Sequence, residues 1–239
     1  MNTTPDLMPL LRKGTGETPA DGGCLVQVAG YLADGHSWVD DTPCVHPVLR
    51  LLAIVVNDLV SDVVRPRLAV VAPDLIGTGP GPDGVEGRVL AVRLAVWCAR
   101  QVLDLCPDRG VALAAIVAAE EWADCPCDRH AASAGAAYAA ANAYDVGGGV
   151  RDAAYAAWDA EAAAYAARAA AYAAWDAEDA AYAAVRAAAY ADSGAVSDVR
   201  LAGLLTGAVA EHRRLTGHHP PPTDSARWDA ICNLIGATA

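Results

Sequence analysis

The chain has 239 residues, which allows one large domain or two small ones and is enough to bury a proper core. Its 17 Lys and Arg against 29 Asp and Glu give a formal net charge of -12, which argues against a nucleic-acid binder because such proteins need a basic footprint. No membrane partner is expected either, because no uncharged apolar run approaches the roughly 20 residues of a membrane span.

The N-terminal residues lack the basic and apolar regions of a signal peptide, so we expect a soluble, cytoplasmic protein. The seven cysteines are an odd number in a chain too long to depend on disulfides. Without a signal peptide, free thiols are the default expectation.

The sequence predicts a polar N-terminal arm over residues 1–20 and a compact helical bundle over residues 21–145. Apolar residues at helical spacing, proline at first turns and capping Ser or Asp residues mark its helices. The predicted helical segments are Cys24–Ala33, Pro47–Val60, a further element from Ser61–Asp62 to about Ile76, Val85–Leu105, Val111–Trp122 and His130–Tyr144. No segment alternates as a half-buried strand does, so the sequence predicts an all-α protein.

Gly147–Gly149 is the clearest internal boundary, and a second helical region is predicted over residues 150–239. Residues 151–191 contain 24 Ala and neither Gly nor Pro, which favours a long helix or a helical hairpin. Two closing helices follow, at Ser197–Gly217 and Asp224–Ile235.

The Ala-rich segment repeats with a period of 17 residues, which does not match the period of a regular coiled coil. Its aromatic side chains fall in one sector of a straight helix, together with several charges, while the opposite face is mostly Ala. Such a face predicts either a packed helical hairpin or an interaction surface, since Tyr and Trp are typical interface anchors. We call the following six residues the aromatic repeat surface: Tyr155, Trp158, Tyr165, Tyr172, Trp175 and Tyr182.

Cys24 follows two glycines and opens a predicted helix, where backbone N–H groups and the helix dipole lower a thiol pKa. Cys24–Gln27 resembles the local pattern of papain-like cysteine peptidases, and His46 with Asp40 or Asp41 would complete a triad. In those folds the histidine lies on a sheet, and no strand is predicted here. We therefore favour the other interpretation, a buried cysteine that opens a core helix.

Cys125, Cys127 and His130 place three soft ligands within six residues, which could hold part of a zinc site. The single residue between the cysteines differs from a standard zinc knuckle, and a fourth ligand would come from Cys106 or Cys98. We therefore favour a turn with incidental thiols, with a zinc site and a reversible disulfide as the alternatives. Cys24, Cys44 and His46 form a weaker metal-binding alternative.

Other motifs point to no chemistry of their own. Glu120 and Glu121 are adjacent on a helix and diverge by about 100°, so they do not form one site. His218 and His219 lie in a Pro-rich linker and predict at most chance metal affinity. The glycine-rich segment Gly77–Gly84 lacks the Lys-Ser/Thr of a phosphate-binding loop.

The segment from Asp21 to Thr78, read through GGCLVQVAGYLADG, DDTPCVHPVLRLLAIVVND and LIGT, resembles a group of uncharacterised helical proteins from high-GC bacteria and their phages. The resemblance implies a cytoplasmic setting and brings no activity with it. From the residues themselves, we expect a non-catalytic helical scaffold or interaction module that binds a protein partner or itself and holds no cofactor. The alternative is a Cys/His-dependent enzyme or zinc protein built on Cys24/Cys44/His46 or on Cys125/Cys127/His130.

Overall fold

The computed structural model describes residues 11–79, 84–105, 109–130, 133, 177–191, 195–222 and 224–236. Apart from one isolated bridge between Leu11 and Gly23, these residues contain helices and turns and no strand, so the all-α prediction is confirmed. The α-helices are α1 (Leu25–Asp34), α2 (Pro47–Leu59), α3 (Ala72–Leu75), α4 (Gly84–Gln101), α5 (Arg109–Asp124), α6 (Ala177–Ala191), α7 (Ala195–Thr216) and α8 (Ser225–Gly236).

Helix α1 is almost completely buried because it is apolar on nearly every side. Leu25, Val26, Val28 and Ala29 are fully inaccessible to solvent. The helix ends where Gly35 adopts a left-handed conformation with φ of 83°, which costs a glycine no Cβ strain. A helix of this kind serves as the centre of a core rather than as one of its surfaces.

Helix α2 begins at Pro47, whose fixed φ suits a first helical turn and whose missing N–H would have no partner there. Its C-terminal end is capped by the buried side chain of Arg65. The Nε of Arg65 donates to the Asn57 carbonyl at 2.7 Å, and Nη2 donates to the Val60 carbonyl at 2.7 Å. A cation at this end satisfies carbonyl groups that the helix leaves without partners.

The element predicted between Ser61 and Ile76 is helical but irregular. A 3₁₀ helix spans Arg65–Val71 and continues into the short helix α3. A 3₁₀ helix is the tighter form that connectors often use, and apolar periodicity alone does not distinguish it from an α-helix.

The chain divides into two compact units. Unit 1 comprises residues 1–80 and 216–239, and unit 2 comprises residues 81–215. This division differs from the predicted one, which separated residues 21–145 from 150–239; the predicted boundary at residues 147–149 lies outside the described part of the chain. The C-terminal helix belongs with unit 1 because Arg227 of α8 donates to the Leu32 and Ala33 carbonyls at the end of α1, at 3.0 and 2.5 Å.

In unit 2, helix α4 packs against both α5 and α6. Small side chains permit this close packing, and Ala180, Ala184, Ala187 and Ala188 of α6 are fully buried. None of the helices in the described ranges is both long and apolar enough to cross a bilayer. The question whether residues 151–191 form one helix or a hairpin falls largely outside those ranges, as does most of the helix predicted over residues 130–144.

Candidate functional site

A tight turn follows the last residue of α5 and carries two cysteine thiols and one histidine imidazole. The amide of Cys125 donates to the Glu121 carbonyl at 3.0 Å and closes the final helical turn. Pro126 has no N–H and cannot continue the helical hydrogen bonds, so the chain reverses direction there. The amide of Cys127 then donates to the Cys125 carbonyl at 2.8 Å, which brings the two cysteines close together.

The candidate zinc ligands Cys125, Cys127 and His130 lie close together in the structure. The two Sγ atoms lie 3.7 Å apart, and Cys127 Sγ lies 3.6 Å from His130 Nδ1. Ligand atoms of all three residues fall within 4.8 Å of one another. Both cysteines are exposed to solvent, so a metal ion or another reagent has direct access to the thiols.

The two thiols have different acidities although they are neighbours. The backbone N–H of His130 and the Cys125 thiol both donate to Cys127 Sγ and lower the pKa of Cys127. The same contact raises the pKa of Cys125, because its proton is held between the two sulfurs. Cys127 is therefore the more acidic thiol of the pair, and the thiolate is the form that binds metals and reacts with electrophiles.

His130 is fixed by a second contact in the same turn. Its Nδ1 lies 3.0 Å from the carbonyl oxygen of Cys125, so the protonated nitrogen donates to that oxygen. The imidazole is thus positioned by the backbone beside the sulfurs, rather than by chance side-chain packing.

The other predicted donors do not join this cluster. Cys98 is fully buried in α4, and burial raises its pKa to about 12. Cys106 lies outside the described part of the chain. Among the residues that the structure describes, Cys24, Cys44 and His46 do not form a second group of ligands within mutual reach.

Cys24 caps the start of α1, as its position in the sequence predicts, but its expected acidity is wrong. The residue is 1% exposed, and burial raises the pKa of its thiol despite hydrogen bonds that lower it. The sequence shows the helix start and its N–H groups, whereas the depth at which that start is buried depends on the packing of the rest of unit 1. Removal from water disfavours the thiolate more than the helix terminus favours it.

His46 and Asp41 have separate structural partners. His46 caps α2, where its Nδ1 accepts a hydrogen bond from the Val48 amide at 3.3 Å. The carboxylate of Asp41 is largely exposed and pairs with the side chain of Arg50. Cys44 is half-buried, and burial raises the pKa of its thiol while Thr42 Oγ1 donates to its sulfur.

Gln27 is a buried polar residue that the sequence analysis missed. Its Oε1 accepts hydrogen bonds from the amides of Gly16 and Cys24 at 3.0 and 3.1 Å. Its Nε2 donates to the carbonyls of Gly16 and Trp38 at 2.9 and 3.2 Å. One side chain therefore joins the N-terminal arm, the start of α1 and the following loop. The only sequence signal is a Gln three residues after a helix cap, the spacing of a capping box.

Unit 2 also contains a charged cleft of about 330 Å³ around the indole of Trp97, formed by α4, α5 and α7. Arg100 makes a two-pronged contact with Glu120 at 2.8 and 2.7 Å, and Arg214 makes one with Glu211 at 2.7 Å on both prongs. These contacts neutralise the cations in place, so the cleft offers no unbalanced charge to an anionic ligand.

Of the aromatic repeat surface, only Tyr182 lies in the described part of the chain. Tyr182 is 37% exposed on α6, and Arg186 lies over its ring with the guanidinium carbon 6.0 Å from the ring centroid. The other five residues, Tyr155, Trp158, Tyr165, Tyr172 and Trp175, lie outside the described residues.

Comparison with known proteins adds no relative to this picture. No protein-family model, curated protein or solved structure matches the chain.

Proposed function

We propose that the protein is a non-catalytic helical interaction module that self-associates through the aromatic repeat surface. The observation that carries the proposal is the position of Tyr182, which is exposed on a helix most of whose other side chains are buried. Tyr combines a large apolar ring with a polar hydroxyl, and such residues are enriched at protein interfaces.

The packing of α6 leaves only a narrow strip of that helix facing solvent. Ala180, Ala184, Val185 and Ala188 are fully buried within unit 2. The exposed fraction of Tyr182 is much larger, and at 100° per residue it lies on the opposite side of the helix from Ala180 and Ala184. The Ala face therefore serves internal packing, and the ring of Tyr182 is partly accessible to solvent on the other side.

The repeat extends this argument to the rest of the aromatic repeat surface. Tyr165 precedes Tyr182 by one 17-residue period, and each has two alanines on either side. A repeated surface favours self-association because two copies of one chain present the same set of side chains to each other.

The charges along α6 also suit a second copy in antiparallel orientation. Glu178 and Asp179 lie in the first turn of the helix, and Arg186 follows Asp179 by two turns. In an antiparallel pair, the acidic start of one helix faces the basic residue of the other. Opposite charges at such positions select orientation more than they add affinity.

The environment of the proposed triad supports a non-catalytic role. Cys24 is buried with a raised pKa, and the carboxylate of Asp41 pairs with Arg50. A nucleophilic cysteine needs an accessible sulfur and a substantial thiolate fraction. The cytoplasmic location and the resemblance to proteins of high-GC bacteria and phages remain predictions from the sequence.

The test is sedimentation equilibrium of the full-length protein under reducing conditions and with a chelator present. We expect reversible self-association of the wild type, and a dissociation constant about tenfold weaker for Tyr182→Ala, which corresponds to about 1.4 kcal/mol. Combining Tyr182→Ala with Tyr165→Ala should weaken association further.

Val63→Ala is the matched control, because Val63 is 75% exposed in unit 1 and its truncation removes apolar surface elsewhere. Circular dichroism shows whether each variant keeps its helices. A wild type that stays monomeric at every concentration overturns self-association, and so does equal weakening by Val63→Ala and Tyr182→Ala.

A further inference from the structure

The cysteine–histidine turn after α5 has the dimensions of a tetrahedral zinc site. With Zn–S distances of about 2.3 Å and Zn–N distances of about 2.0 to 2.1 Å, tetrahedral angles place two sulfurs about 3.8 Å apart and a sulfur and a nitrogen about 3.6 Å apart. The observed separations are 3.7 Å between Cys125 Sγ and Cys127 Sγ, and 3.6 Å between Cys127 Sγ and His130 Nδ1. Two edges of the tetrahedron are therefore already present.

The donor types select the same ion. Two thiols and an imidazole suit zinc, whereas calcium and magnesium take oxygen ligands. A linear two-thiolate arrangement would need the sulfurs further apart than 3.7 Å, since they would stand on opposite sides of the metal.

We infer that Cys125, Cys127 and His130 bind one zinc ion, a function separate from the proposed interaction surface. On binding, the two thiols release their protons to solvent, and the two thiolates balance the charge of Zn²⁺. His130 gives up its contact with the Cys125 carbonyl. Its Nδ1 proton is released to solvent, and Nε2 takes up a proton from solvent, so that the neutral imidazole coordinates the ion through Nδ1. The bonds formed are two Zn–S bonds and one Zn–N bond.

The described residues supply three ligands to this zinc ion, which leaves its fourth position for an outside ligand. Within the described ranges, no other His, Cys, Asp or Glu brings a ligand atom into the group. Cys125 and Cys127 are exposed, so a water molecule reaches the remaining position from solvent. Three protein ligands with one water is the arrangement of zinc sites that exchange their fourth ligand.

The experiment titrates the reduced, metal-free full-length protein with Co²⁺ as a spectroscopic probe and then displaces it with Zn²⁺. We expect one ion per chain, with thiolate-to-cobalt charge-transfer absorption and the intense visible bands of tetrahedral cobalt. Addition of imidazole should shift those visible bands, because imidazole replaces the water at the fourth position.

The variants are Cys125→Ser, Cys127→Ser and His130→Ala. Each should weaken zinc binding about tenfold or more, and the double variant C125S/C127S should abolish the charge-transfer absorption. The residues lie on an exposed turn, so these variants should keep the circular dichroism of the wild type.

Two control variants address other thiols and chance histidine binding. Cys44→Ser removes a thiol outside the cluster, and His219→Ala removes a histidine of the Pro-rich linker; both should bind one ion as the wild type does. Failure of the reduced wild type to bind overturns the inference. Equal binding by the wild type and C125S/C127S, or loss of binding in His219→Ala alone, overturns it as well.

Discussion

Cys24 in unit 1 and Cys127 in unit 2 each precede a helical stretch. The pKa values of their thiols are nevertheless shifted in opposite directions. The Cys24 sulfur accepts hydrogen bonds at the start of α1, yet burial raises its pKa. The Cys127 sulfur accepts a hydrogen bond from the His130 amide in full contact with solvent, and its pKa is lowered.

The difference shows that a helix start alone does not make a thiol acidic. Backbone N–H groups favour the thiolate at both positions, but removal from water opposes it at Cys24. The same contrast holds for other polar groups: those around Cys24 are buried and join distant parts of unit 1, whereas those near Cys127 are exposed and local. Breaking contacts in the two regions should therefore have effects of different size.

The largest effect is expected from Gln27→Leu, which keeps the side-chain size but removes four hydrogen bonds at the buried region. Gln27 is 2% exposed, so the amides of Gly16 and Cys24 would lose their acceptor where water has little access. We expect the free energy of unfolding of unit 1 to fall by about 3 kcal/mol. Urea denaturation followed by tryptophan fluorescence measures this change.

Gln101→Leu is the matched control for that substitution. Gln101 is exposed and makes one long contact, from Nε2 to the Trp97 carbonyl at 3.3 Å. Its substitution should change stability by less than about 0.5 kcal/mol. Equal effects of the two substitutions would contradict the claim that burial makes the Gln27 hydrogen bonds important for stability.

The next effect concerns the order in which the thiols react. At pH 8 in the metal-free protein, iodoacetamide should modify Cys125 and Cys127 first, because both are exposed. Cys98 is fully buried and burial raises its pKa to about 12, so very little of it is thiolate at that pH. We expect Cys24 and Cys98 to react at least about a hundredfold more slowly, as measured by peptide mass spectrometry.

Denaturation in urea provides the control, since it should make all the thiols react at similar rates. Rapid modification of native Cys24 below pH 8, at the rate of Cys125 or faster, would contradict the burial argument. It would also restore the cysteine-peptidase hypothesis for unit 1.

The smallest effect is expected at the charged cleft, where Arg214 donates two hydrogen bonds to Glu211 and lowers the pKa of that carboxyl below its ordinary value of 4.5. A lowered folded-state pKa means that ionised Glu211 stabilises the fold above the ordinary pKa. That contribution is lost as pH falls through the lowered value. Arg214→Gln should raise the pKa of Glu211 toward 4.5, as measured by carboxyl carbon NMR.

Stability near neutral pH should change little in Arg214→Gln, because exposed ion pairs contribute weakly. Arg200→Gln is the control, since Arg200 pairs with Asp104 and should leave the Glu211 titration unchanged. An unaltered pKa of Glu211 in Arg214→Gln would show that the pair does not persist in solution.

Local sequence patterns predicted the helices because their determinants are local. Pro47 marks the start of α2, Gly35 follows the end of α1, and the alanines of α6 lie in a helix as their propensity indicates. The meeting of Cys125, Cys127 and His130 was also predictable, since the three residues are separated by only a few positions.

Contacts between residues that are far apart in the chain could not be predicted from the sequence. Arg100 and Glu120 are twenty positions apart, and nothing in either neighbourhood identifies the other as its partner. The burial of Cys24 depends on the packing of several elements of unit 1 around α1, so the sign of its pKa shift could not be predicted from the helix start. The partners of Gln27 likewise lie in loops that carry no periodic pattern.

The discontinuous course of unit 1 has a consequence during synthesis on the ribosome. Residues 216–239 belong to unit 1 but are made after all of unit 2, so residues 81–215 emerge before them. Until α8 emerges, the Leu32 and Ala33 carbonyls at the end of α1 lack the donor that Arg227 provides. Unit 1 can therefore complete its fold only after α8 has been made, although most of its residues leave the ribosome earliest.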